Sequence, residues 1–202
     1  MMTPREASGM LKYVKTWTRI SLIVLLGWSA GAHSVHATSL LPAPADRLVR
    51  DADIILIGEC AKVTSVPYTS PLGFSRQIDT WTFHLQDVLK GDLTPGDFSW
   101  KQMGDRYEIG KSYLLFLSRL HDVHDLMSPV GKMQGSFEVR ADGSVVNRLG
   151  NQFLLQGIEE RVPPAQAGVA KGIRVEMDQR QGAISLESMK ALIRSLKDRV
   201  TP

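Results

Sequence analysis

Alternation of apolar and polar positions is clearest between residues 78 and 117. Over residues 79–88, Trp81, Phe83 and Leu85 share one parity while Thr80, Thr82, His84 and Gln86 share the other. Successive side chains leave a strand on opposite faces, so a period of two predicts a half-buried β-strand with its aromatic set inward. Gly91-Asp92 and Pro95-Gly96-Asp97 break that run, and a short strand follows with Phe98 and Trp100 on one face. Gly104-Asp105 and Gly110-Lys111 punctuate the chain before residues 113–117, Tyr-Leu-Leu-Phe-Leu. That run is apolar on both parities, as a fully buried strand is.

The same reading extends in both directions. Residues 45–51 predict a short helical turn with Leu48 and Val49 inward, and residues 53–63 predict a strand. Leu56 and Cys60 share one parity and Ala61 and Val63 the other, so a bulge or bend is expected near Gly58. Pro67, Pro71 and Gly73 mark residues 67–76 as an exposed loop, and residues 121–132 read as a polar loop. Residues 135–140 alternate again, Asp142-Gly143 supplies a tight hairpin turn, and residues 145–147 return. Residues 153–155 are expected to add an edge strand. Pro163-Pro164 and Gly168 give residues 161–184 the look of a linker or irregular segment. From Ser185 the period becomes helical: Leu186, Met189, Ile193, Leu196 and Val200 form one stripe, with Ser185 as N-cap and Glu187 in the first turn. The expected division is therefore 1–37, 38–160, 161–184 and 185–200, a leader, a β-barrel domain, a connection and a C-terminal amphipathic helix.

Composition changes the picture mainly at the N-terminus. The formal net charge of the 202-residue chain is +3. Residues 1–37 hold Arg5, Lys12, Lys15 and Arg19 against Glu6 alone, so all of that net charge lies there. Lys12, Lys15 and Arg19 precede an apolar run over residues 20–28, and Val35-His36-Ala37 fits a cleavage site. This is the layout of a signal peptide, with the mature chain beginning at Thr38 from a start at Met1 or Met10. The apolar run is short of the roughly 20 residues a membrane span needs, so no stable membrane insertion is expected after cleavage. The chain is expected to be exported, periplasmic or extracellular. The remainder is electrically balanced and lacks the basic footprint of a nucleic-acid binder. Cys60 is the only cysteine, which excludes an internal disulfide, and its strand setting reads as a buried small hydrophobe.

Candidate chemistry is sparse. His121, Asp122, His124 and Asp125 are the densest group of metal-ligand types, and His-x-x-His spacing can place two imidazoles on one ion, with His84 or Asp105 as a third ligand. The competing reading is a solvated loop, and no cofactor is assigned. No nucleophile elbow, phosphate loop, His-Glu-x-x-His or dinucleotide fingerprint occurs in the chain. Trp81, Phe83, Phe98 and Trp100 are either core or a stacking platform of the kind oligosaccharide-binding barrels use. Trp100, Lys101 and Tyr107 are the candidate ligand-binding residues, and no catalytic residue is assigned.

Taken together, residues 52–58, the aromatic strand ending at Val88-Leu89-Lys90-Gly91-Asp92, residues 110–117, Gln134-Gly135-Ser136-Phe137 and Asp142-Gly143 resemble the netrin-like module shared with tissue inhibitors of metalloproteinases, in the version found in bacterial exported proteins. The resemblance spans about residues 45–150. It implies a mainly β fold: a five-stranded, OB-like Greek-key barrel with a flanking helix and the C-terminal helix. It carries no inhibitory residue over, because animal inhibitors place an N-terminal cysteine on the protease zinc, and Thr38 stands where such a cysteine would be. The expected function is an exported, non-enzymatic binding module recognising an envelope or extracellular protein, with a metalloprotease as one candidate. The alternatives are a carbohydrate- or small-ligand-binding barrel, and a hydrolase built on His121 and His124.

Overall fold

The computed structural model describes residues 41–70, 73–104, 106–120 and 126–197. The expected leader, its expected cleavage before Thr38 and the last stripe residue Val200 lie outside the described residues. The elements are α1 (Ala45–Asp51), β1 (Ile54–Thr69), β2 (Ser75–Lys90), β3 (Asp97–Gln102), β4 (Ser112–Arg119), β5 (Met127–Pro129), a 3-10 turn (Lys132–Gly135), β6 (Ser136–Val139), β7 (Ser144–Asn147), α2 (Ile158–Arg161), α3 (Pro164–Gln179), β8 (Ile184–Ser185) and α4 (Leu186–Lys197).

The fold is mainly β. One antiparallel sheet of eight strands runs in the order β3-β2-β1-β4-β6-β7-β8, with β5 paired to β4 beside β6. The sheet is not closed. An isolated parallel bridge from Lys101 to Leu126 ties the end of β3 to the segment entering β5.

Strands β1 and β4 are the spine because both of their faces are apolar. Ile55, Ile57, Leu114 and Phe116 face a helix-side core with Leu48, Phe137, Met189 and Ile193. Ile54, Leu56, Leu115 and Leu117 face an aromatic core with Trp81, Phe83, Trp100, Tyr107 and Tyr113. A strand that separates two cores must be apolar at every position, which is what residues 113–117 show. The pairing of β1 with β2 shifts register between Ile57 and Gly58. Gly58 is needed there: a Cβ would stand 2.9 Å from the His84 carbonyl oxygen.

Four expectations need correction. Residues 67–76 are not a free loop: β1 runs to Thr69 and β2 starts at Ser75, paired to the end. Both faces of that hairpin are largely exposed, so no apolar alternation marked it as strand. The polar loop after β4 contains β5, whose three residues are too short to carry a period. Residues 153–155 form turns rather than an edge strand. Buried Asn151 explains this: its Nδ2 donates to the Val145 and Gly182 carbonyls and its Oδ1 accepts from the Asn147 amide, so the chain is bent by a side chain. Finally, residues 161–184 are not a linker, because α3 fills most of them. Pro164 occupies its first turn, where no amide partner is required, and only Ala170 and Ile173 are buried. α4 packs its stripe of Met189, Leu192, Ile193 and Leu196 against α1, α3 and the sheet, and Ser185 Oγ accepts from the Ser188 amide at its start.

Candidate functional site

The expected ligand-binding residues separate. Trp100 is 2% exposed, and its indole donates to Gln102 Oε1 at 3.0 Å. Tyr107 is buried beside it, donates to the same oxygen at 3.3 Å, and meets Trp81 edge-on at 5.0 Å. Both rings are largely buried in the aromatic core; Trp100 offers no stacking face to a sugar, while Tyr107 also lines part of the cleft described below. Lys101 alone of the three is exposed. His121, His124, Asp125 and the alternative ligand Asp105 lie outside the described residues. Among the described residues, no three His, Cys, Asp or Glu side chains gather closely enough to hold a metal ion. His84 sits on the outer face, 3.2 Å from Asp97. Cys60 is buried, and that burial, aided by the charge of Glu59, pushes its thiol up and away from reactivity.

Two surfaces missed by sequence reasoning remain. The first is the arm made by the ends of β1 and β2. β4 leaves β1 at Glu59 and β3 leaves β2 at Asp79, so beyond those points the hairpin is a two-stranded ribbon. Val66 pairs with Ile78 and Tyr68 with Arg76, which places Val66, Tyr68 and Ile78 on one face. Val66 is 54% exposed, Tyr68 41%, and Phe74 near the tip 65%. Lys62 lies on the same face, and neither Lys62 nor Arg76 meets a carboxylate among the described residues. In the sequence the signal was visible only as Val66, Tyr68, Leu72 and Phe74 scattered through a stretch of Ser, Thr, Pro and Gly.

The second is a cleft of about 550 Å³ between the segment joining β3 to β4 and the β6–β7 hairpin. Pairing puts Tyr113, Glu138 and Val146 on one face of the sheet, the face that the helices do not cover. Arg106, Arg140 and Arg148 line the rim, and Arg148 donates to the Arg106 carbonyl at 2.8 Å. The two acidic residues of the cleft share one lysine: Lys111 Nζ stands 3.0 Å from Glu108 and 3.2 Å from Glu138. Those two bonds, to Glu108 first, hold the Lys111 ammonium above its ordinary pKa. Tyr113 accepts from the Glu108 amide at 2.9 Å, and burial raises its phenol despite that bond.

No family model matches the chain, and no curated protein matches it significantly. No helix among the described residues is long and apolar enough to cross a membrane.

Proposed function

We propose that this chain is an exported, non-enzymatic binding module whose arm docks an extended segment of an envelope or extracellular protein. The observation that carries the reading is the ribbon, unpartnered among the described residues, with Val66, Tyr68 and Phe74 exposed on it. An apolar patch on a hairpin has a physical cost in water, and contiguous patches of that kind mark interaction sites. Beyond Cys60, whose backbone bonds to Gly110 and Lys111, the outer edge of β1 has no strand beside it among the described residues, and such an edge is a template for another strand. Lys62 and Arg76 flank the patch, so the fitting segment alternates apolar side chains with acidic ones.

The barrel of the netrin-like kind belongs to the same proposal. It is supported by β1 lying between β2 and β4, by β5 beside β4, and by the parallel Lys101–Leu126 bridge that brings β3 towards β5. Export rests on the basic, then apolar, then small-residue order of residues 12–37. A metalloprotease stays one candidate partner on resemblance alone. The sugar-binding alternative loses support because Trp81, Phe83 and Trp100 of its aromatic platform are buried.

Affinity isolation from envelope extracts with the native chain and a Tyr68→Asp, Phe74→Asp variant side by side tests the docking. A protein retained by the first and lost by the second is expected. Identical retention by both would remove the arm from the proposal.

A further inference from the structure

We infer that the cleft between the β3–β4 connection and the β6–β7 hairpin binds a small organic anion bearing carboxylate or phosphate oxygens. It is a second site: no residue lining it belongs to the arm, and the inference stands or falls apart from arm docking.

The cleft has a surplus of donors. Arg106, Arg140 and Arg148 form no ion pair among the described residues, although the charge of Arg140 also acts on Asp142 in the hairpin turn. Glu108 and Glu138 are already engaged by Lys111, so they do not compete for the guanidinium groups. Counting these side chains and Asp142, three guanidinium groups and one ammonium stand against three carboxylates, so among the described residues the cleft is left one charge positive. Tyr113 accepts from the Glu108 amide, while its own hydroxyl proton and that of Ser136 find no acceptor among the described residues. A group that only accepts hydrogen bonds completes such a set, and an oxyanion is the group that does so while also supplying negative charge.

Size and shape narrow the occupant. A volume of about 550 Å³ lies within the range of small-molecule sites, roughly 300–1,000 Å³. On the face lining the cleft Glu138 stands between Tyr113 and Val146, with Lys111 already engaging its carboxylate, so the lining offers some apolar surface among its charged groups and suits a small anion with a short carbon skeleton. Guanidinium is suited to this role because its planar fork meets two oxygens at once and stays charged at any relevant pH.

The test is titration calorimetry of the full mature chain with three probes: citrate, inorganic phosphate and uncharged glycerol. Citrate or phosphate binding is expected, weakening about tenfold in Arg140→Ala and again in Arg148→Ala, as loss of a charge-assisted bond does, and weakening also as salt is raised. Glycerol should give no heat. Citrate binding without phosphate binding assigns the cleft to carboxylates, and the reverse to phosphates. Arg194→Ala, on the exposed face of α4, controls for total charge. Amide shifts of Ser136 and Val146 on adding the probe, followed by NMR, locate the site and report that each variant is folded. Absence of binding by the native chain at 10 mM probe, on the order of the weakest useful affinity, overturns the inference. So does equal weakening in Arg194→Ala, or shifts confined to other residues.

Discussion

Phe83→Ala removes the ring at the centre of the aromatic core. Phe83 is fully buried, and its ring lies 5.0 Å from Trp100, 5.2 Å from Tyr107 and 6.0 Å from Tyr113. Emptying a buried phenylalanine site costs about 3–5 kcal/mol. The upper half of that range applies, because aromatic pairs add about 0.5–1.5 kcal/mol each beyond their area. The neighbours are also held from both sides: Trp81 and Tyr107 pack on each other, and Gln102 fixes Trp100 and Tyr107 together. They have little freedom to fill the space. At a urea slope of about 2 kcal/mol per M, the midpoint should fall by about 2 M. His84 is the next residue on the same strand and faces water, with only Asp97 at 3.2 Å. His84→Ala should stay within about 0.5 kcal/mol, a midpoint change of about 0.25 M. Urea unfolding followed by tryptophan fluorescence separates the two. A Phe83→Ala midpoint within 0.5 M of the native one, about a quarter of the expected change, or a larger effect at His84, would refute the assignment of faces on β2.

Ile193→Asp buries a charge in the helix-side core and should cost several kcal/mol, while Arg194→Asp on the outer face should change stability little; equal thermal shifts would mean α4 is not docked. Asn151→Ala strips partners from the Val145 and Gly182 carbonyls and the Asn147 amide, so it should destabilise by about 3 kcal/mol or more, measured by urea unfolding; a neutral result would show that the turn does not depend on it. Burial raises the Asp46 carboxyl, but the Arg161 guanidinium, bonded at 2.9 Å to each oxygen, more than offsets this and holds it below the usual range. A lowered folded pKa stabilises above the unfolded value and is lost as pH falls through the folded one. The stability gap between the native chain and Asp46→Asn should therefore be present at neutral pH and shrink below about pH 4; a gap constant down to pH 3, about a unit lower, would contradict the pairing. N-terminal sequencing of exported material should begin at Thr38, and exported chains beginning at Met1 or Met10 would remove the leader assignment.

The elements legible in the sequence are those whose burial differs between faces. β2 and α4 each bury one stripe, and β1 and β4 bury both faces, so period and apolarity named them. The bend near Gly58 was legible because parity changes across it. The arm was hidden because both of its faces meet water. α3 was hidden for a related reason: Pro163 and Pro164 look like a linker, and Gly168 and Gly172 stand in open space on a helix that buries little. The turn at Asn151 depends on bonds to Gly182, distant in sequence, and no local pattern records such a partner. The arginine cleft draws Arg106 from one connection and Arg140 and Arg148 from a hairpin, so only the pairing of β4 with β6 brings them together. Trp100 was misplaced because strand parity gives the side of a strand and not what covers it, and its cover is Phe83 and Tyr107.

The most direct measurement of arm docking is photo-crosslinking in cells, with a benzophenone side chain at position 68 on the arm or at position 175 on exposed α3. The expected result is one defined adduct from position 68, lost when Val66→Asp is added, and none from position 175. The same adducts from both positions, or an adduct from position 68 that survives Val66→Asp, would contradict docking through the arm.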